Sequence, residues 1–142
     1  MLFRSPFFDL RATSFENDAT IDIALQTGMF AYPSASPTQA SSRERQYQVA
    51  YLQAIFHEQS ETSRYRLVVM DRDGSNRRTV FPATDAPGLE PQIPAWAPGQ
   101  IDGQSGYFLA VVYQGNLWLV DTGNDQAFQV TGDGLVTKID WR

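Results

Sequence analysis

From Tyr65 to Trp141 the chain alternates short runs of β-forming residues with turn-forming pairs. Spacing this tight leaves no room for the crossover helices that join parallel strands, so the runs must pair antiparallel. Tyr65–Met70 runs into Asp71-Arg72-Asp73-Gly74-Ser75-Asn76, where Asp-Gly is a strong hairpin signal, and Arg77–Phe81 returns as a second strand. A loop rich in proline and glycine spans 82–98. Tyr107–Tyr113 and Leu117–Asp121 flank Gln114-Gly115-Asn116, and Thr122-Gly123-Asn124-Asp125 separates them from Ala127–Thr131. After the turn at 131–134, Leu135–Trp141 reads as a last short strand. The expected fold class is all-β.

The runs also repeat, which is the sequence sign of an architecture built from stacked units. Ile93-Pro94-Ala95-Trp96-Ala97-Pro98 opens one unit, completed by the runs at 107–113, 117–121 and 127–131. Tyr32-Pro33-Ser34-Ala35-Ser36-Pro37 opens an earlier one, followed by 47–55, 65–71 and 77–81. The offset between matched segments is about 60 residues at the start and 50 at the third strand, the difference being absorbed by the polar insertion 57–64. Ile139-Asp140-Trp141 repeats the opening Pro94-Ala95-Trp96. The resulting division is an N-terminal strand piece at 1–32, units at 33–92 and 93–135, and the first strand of a further unit at 136–142.

Two stretches read less simply. Ser41-Ser42-Arg43-Glu44 has the form of a helix capping box, and 45–58 fits either an amphipathic helix or a strand with Tyr47, Val49 and Tyr51 on one face. Alignment with the later unit favours the strand. Near the N-terminus, Thr20–Leu25 reads as a strand with Ile21 and Ile23 on one face.

These residues resemble the β-propeller repeats of the TolB type, a relative of the WD repeat. The resemblance rests on Pro94-x-Trp96-Ala97-Pro98, on Leu67-Val68-Val69-Met70-Asp71 followed by Asp73-Gly74-Ser75-Asn76, on Leu117-Trp118-Leu119-Val120-Asp121 and on Gln129-Val130-Thr131. It covers about residues 33–142. Departures are Ala97 in place of the usual serine, Ser34-Ala35-Ser36 without the tryptophan, and inserted loops at 57–64 and 99–106. The resemblance implies blades of four antiparallel strands, with Trp96 and Trp141 between neighbouring sheets, and a partial propeller of about two to three blades. Closed propellers need about four to eight blades. The chain is then a piece of a longer propeller, or a homo-oligomer in which two copies complete a ring. The function implied is a non-catalytic module that binds or scaffolds a protein or peptide partner. The alternative is the propeller portion of a larger prolyl-oligopeptidase-like hydrolase whose catalytic domain this chain lacks. The family also implies a bacterial, periplasmic or extracytoplasmic setting.

Composition narrows the chemistry. The 142 residues carry a net charge of −5, and of the eleven basic residues only Lys138 is lysine. An acidic chain lacks the basic face of a nucleic-acid binder. No cysteine is present and His57 is the sole histidine, which removes disulfides, thiolate zinc sites, cysteine nucleophiles and histidine-rich metal clusters. No apolar run reaches the ~18 residues of a membrane span. Met1–Pro6 lacks the pattern of a secretory signal, as fits a cytoplasmic chain or a piece of a longer one. No asparagine begins an N-glycosylation sequence.

Candidate sites are few. Asp71, Asp73 and Asn76 gather oxygen-bearing side chains around Gly74, as calcium loops do, but the glutamate a helix–loop–helix calcium site needs at loop position 12 falls on Pro82. The hairpin turn is therefore the stronger reading. Arg64, Arg66, Arg77 and Arg78 flank the third and fourth strands of the first unit and are candidates for contact with an acidic partner; solvated sheet ends are the plainer reading. His57, beside Glu58 and Glu61, reads as surface loop. Gly103-Gln104-Ser105-Gly106 lacks the spacing and strand-to-helix context of a nucleophile elbow. Asp121/Asp125 and Asp133/Asp140 lie near turns, where carboxylates are solvated. No cofactor and no catalytic residue are expected.

Overall fold

The computed structural model describes residues 8–38, 46–100 and 106–142. Among them ten strands form, in the order β1 (Leu10–Thr13), β2 (Thr20–Ala24), β3 (Ser34–Ala35), β4 (Gln48–Ala54), β5 (Tyr65–Asp71), β6 (Arg78–Phe81), β7 (Ala95–Trp96), β8 (Phe108–Tyr113), β9 (Asn116–Asp121) and β10 (Gln126–Gln129). The only helical element there is a 3-10 turn at His57–Gln59. The chain is all-β, and every pairing is antiparallel: a hairpin β1–β2, a first sheet β3-β4-β5-β6 and a second sheet β7-β8-β9-β10. Each four-stranded sheet is a meander whose strands neighbour one another in chain order.

Turn chemistry sets where the strands reverse. Gln114 and Gly115 join β8 to β9 with φ of 50° and 75°, the two positive values that match the twist of a tight hairpin. Gly115 is required for a second reason: a Cβ there would lie 2.2 Å from the Gly134 carbonyl oxygen. Between β5 and β6, Gly74 (φ 86°) and Asn76 (φ 51°) make the reversal, closed by Asp71 N–H donating to Ser75 O at 2.9 Å. Pro94 and Pro98 bracket β7, outside the two residues that pair.

The registers of the two sheets superimpose. Ser34 pairs with Ala50 and Ala35 with Val49 in the first; Ala95 pairs with Ala110 and Trp96 with Leu109 in the second. Gln48 opposes Asp71 as Phe108 opposes Asp121. The hairpin repeats the third and fourth strands of a sheet, irregularity included. Leu10↔Ala24, Arg11↔Asp22 and Ala12↔Ile21 reproduce Leu67↔Phe81, Val68↔Thr79 and Val69↔Arg78, with the register shift after the first pair in both.

Alternation along the strands then stacks the three layers. Ala50, Leu52, Leu67 and Val69 turn one face of the first sheet onto Leu109, Val111, Tyr113 and Val120 of the second. Tyr51, Val68 and Met70 turn the other face onto Ala24, Leu10 and Ile23 of the hairpin. A sheet covered on both faces has no polar side, which is why β5 carries Leu-Val-Val-Met in unbroken sequence. Rings hold the inter-sheet core together: Phe81 of the first sheet lies 5.1 Å from Tyr113 and 5.2 Å from Trp118 of the second. Trp96 is half-buried against the same core, and its Nε1–H donates to Ser34 O across the sheets at 3.1 Å.

Three expectations need correcting or narrowing. Leu135–Trp141 is not a strand. Extended backbone becomes a strand only with a ladder, and the bond from Val136 N–H to Gly115 O at 2.8 Å joins this tail to a turn instead. Of Ile21 and Ile23 only Ile23 packs on the first sheet; Ile21, paired with Ala12 one pair from the β1–β2 turn, is 57% exposed. Within 46–58 the strand forms over Gln48–Ala54 and the helix does not; the capping-box residues 41–44 lie outside the described residues. No helix among the described residues is long and apolar enough to cross a membrane.

Candidate functional site

The first sheet and the second end together where β4 and β8 begin and β5 and β9 finish, and the gap between those ends is a cleft of about 400 Å³. Gln46, Tyr47 and Gln48 line it from the start of β4, Asp71, Arg72 and Asp73 from the end of β5. Tyr107 enters ahead of β8, Thr122 and Gly123 follow β9, and Ser36 closes the side next to β3. Five separate stretches of chain are thus brought to one opening.

Its walls are braced by hydrogen bonds. Ser36 N–H donates to Gln48 O at 2.8 Å, and Ser36 Oγ accepts from Gln48 N–H at 2.9 Å. Thr122 donates twice to Tyr107 O, from N–H at 3.0 Å and from Oγ1 at 2.7 Å. Asp121, 2% exposed behind the wall, accepts from Gly123 N–H at 2.8 Å. Arg78 crosses between the sheets: its Nε lies 2.8 Å from both carboxylate oxygens of Asp125, and Nη2 donates to Thr122 O at 2.7 Å. This bond set ties β6 to the turn after β9, where Thr122 lines the cleft.

The proposed calcium ligands are turn-forming in their contacts. Asn76 donates its side-chain N–H to Asp71 Oδ2 at 2.7 Å, and Asp73 Oδ1 accepts from Ser75 Oγ at 2.5 Å and from Ser75 N–H at 3.0 Å. The Ser75 hydroxyl, with the Ser75 N–H behind it, holds the Asp73 carboxyl below its ordinary range, so Asp73 is charged at neutral pH. Among the described residues no group of three or more His, Cys, Asp or Glu side chains could hold a metal ion. The two carboxylates face the cleft as hydrogen-bond acceptors.

The four arginines are held apart, each with partners inside the chain. Arg66 donates to four carbonyl oxygens, those of Pro82, Ala83, Thr84 and Ala86, at 2.7–3.2 Å, and so shapes the loop after β6. Arg64 pairs with Glu90, Arg77 donates to Ile23 O of the hairpin, and Arg78 spans the sheets as above. His57 sits on the 3-10 turn between β4 and β5, at the other end of the sheet from the cleft, and Ser105 lies outside the described residues. Asp133 and Asp140 follow β10 and are exposed. The cleft's own residues Gln46, Tyr47, Tyr107 and Thr122 carried no signal in the sequence, because only the stacking of the sheets makes them neighbours.

Chemically the opening offers carboxylate and amide acceptors, amide and guanidinium donors and two phenol rings. Among the described residues neither histidine, cysteine nor lysine lines it. Such a surface binds through hydrogen bonds and ring contacts. In comparisons with known families, with characterised proteins and with solved structures, the chain matches none of them.

Proposed function

We propose that this chain is a non-catalytic binding module built from β-propeller-type blades of the TolB kind, and that it holds a protein or peptide segment in the cleft at the ends of its two sheets. The observation that carries the reading is the cleft itself, made by strand-end loops of two successive, equivalently built four-stranded meanders. In this reading each meander is a blade, and the β1–β2 hairpin is the outer half of a preceding one. Propeller-type scaffolds present loops of this kind while the strands do the packing, and here Arg66, Arg77 and Arg78 are taken up by the scaffold. An extended peptide is the occupant that suits a groove rich in both donors and acceptors and flanked by Tyr47 and Tyr107.

The test is peptide selection on the full chain followed by amide chemical-shift mapping. Selected peptides should shift Gln46, Tyr47, Asp73, Tyr107 and Gly123, and Tyr47→Ala should weaken them at least ~10-fold. Peptides that shift only residues away from these ends, or whose affinity ignores Tyr47→Ala, would sink the proposal.

A further inference from the structure

Arg78 and Asp125 are not among the residues that line the cleft, yet they are bonded to its wall. Arg78 lies on β6 and Asp125 in the turn between β9 and β10, so their contact crosses from one sheet to the next. Beside the pair, Arg78 Nη2 donates to Thr122 O at 2.7 Å. Thr122 passes the contact on, because its N–H and its Oγ1 both donate to Tyr107 O. The two wall segments are pressed together: a Cβ on Gly106 would lie 2.3 Å from Gly123 N. Tyr107 then reaches back to the first sheet, its hydroxyl donating to Thr38 O, three residues past β3, at 3.4 Å. Bonded groups thus run from Asp125 through Arg78 and Thr122 to Tyr107, and the last two line the cleft.

Two observations separate this contact from sheet stacking as such. Val69 pairs with Arg78, Ala12 with Ile21 and Leu119 with Phe128, which puts Arg78, Ile21 and Phe128 at one register position in three layers. Of the three only the first sheet's residue is an arginine. The hairpin packs on the first sheet with Ile21 exposed at that position and is tied there by Arg77 to Ile23 O, so layers of this kind stack without the Arg78 contact. Asp125 itself has a φ of 59°, in the left-handed region that favours glycine. Glycine would suit that backbone and would give up only the carboxylate. With side chains 29% and 36% exposed, an ion pair of this kind adds little to stability.

We propose that Arg78 and Asp125 are positioning residues for the cleft: together they set where Thr122 and Tyr107 stand, and through them how tightly a segment binds. The affinity half rests on the reading of the cleft as a peptide site; the placement of the wall does not.

The test uses Asp125→Gly and Arg78→Lys in the full chain. Asp125→Gly removes the carboxylate while suiting the backbone, so its urea midpoint should stay within about 0.3 M of wild type. Arg78→Lys keeps the charge, but one ammonium cannot serve the carboxylate and the Thr122 carbonyl as a planar fork does. In the free protein both variants should move the Tyr107 amide and ring signals. Both should weaken cleft-selected peptides about 10-fold. The double variant should be no weaker than either single one, because both act through one contact. Tyr107 signals that stay at their wild-type positions in both variants would overturn the proposal. So would unchanged peptide affinity once those signals have moved, or a weakening that only tracks a fallen urea midpoint, which a purely structural pair would give. A wild-type chain that selects no cleft-binding peptide would sink the peptide reading and the affinity half with it, while the Tyr107 signals still decide the positioning half.

Discussion

Replacing Arg66 separates a structural arginine from one reserved for a partner. Its guanidinium serves four backbone carbonyls at once, with Pro82 O at 3.2 Å and Ala86 O at 3.0 Å in part-buried positions, and Ala83 O at 2.7 Å and Thr84 O at 3.0 Å exposed. A net hydrogen bond to a charged group contributes about 1.5–3 kcal/mol when shielded from water and much less at the surface. Counting the two part-buried bonds somewhat below the low end, because they are only partly shielded, and the exposed pair at little, Arg66→Ala should cost about 2–3 kcal/mol. With a urea dependence of about 2 kcal/mol/M, the unfolding midpoint falls by about 1–1.5 M. Arg66→Lys should recover less than half of that, because one ammonium cannot span four oxygens set for a planar fork. The assay is urea unfolding followed by far-UV circular dichroism, with the slope checked for two-state behaviour. A midpoint within about 0.2 M of wild type for Arg66→Ala, or full recovery with lysine, would refute the clamp and return Arg66 to the surface.

Phe81→Ala removes the ring that meets Tyr113 and Trp118 between the sheets and should cost about 3–5 kcal/mol by calorimetry, whereas a loss below 1 kcal/mol would mean the sheets do not stack there. Gly115→Ala sets a Cβ against the Gly134 carbonyl at a positive φ and should cost about 1–3 kcal/mol; a neutral result would show that the β8–β9 turn and the tail do not approach. Burial raises the pKa of Tyr51, with Arg77 opposing, and that of Tyr65. Above about pH 10 the unfolded chain loses these phenol protons before the folded one does, so stability, full below that pH, should fall as pH rises. Urea midpoints from pH 8 to 11 check this, and phenolate absorbance titrating wholly at the ordinary tyrosine value would contradict it.

The strands were legible where turn chemistry and composition agreed. Asp73-Gly74 and Gln114-Gly115 announced their hairpins, and Leu67–Met70 announced a doubly covered strand because no polar residue interrupts it. Pro94 and Pro98 bounded β7 from the sequence alone. The tail misled because Ile139-Asp140-Trp141 carries the opening pattern of a unit, and pattern cannot supply a ladder partner. Ile21 reads like Ile23 in the sequence, and only its place beside the hairpin turn leaves it exposed. Arg66 looked like a surface charge since its four acceptors are main-chain oxygens, which leave no mark in a sequence. The cleft was illegible for a related reason: Tyr47, Asp73, Tyr107 and Thr122 come from strand ends in two sheets and meet only through stacking.

Front-to-back stacking of the two meanders is the claim on which the cleft and the Arg78 contacts depend. Nuclear Overhauser contacts from the Trp96 indole N–H test it most directly. Stacked sheets place that proton against the β3 backbone, with Nε1 3.1 Å from Ser34 O, so strong cross-peaks to Ser34 and Ala35 and slowed exchange with water are predicted. An indole proton that exchanges at the free rate and shows contacts only within β7 and β8 would contradict the account.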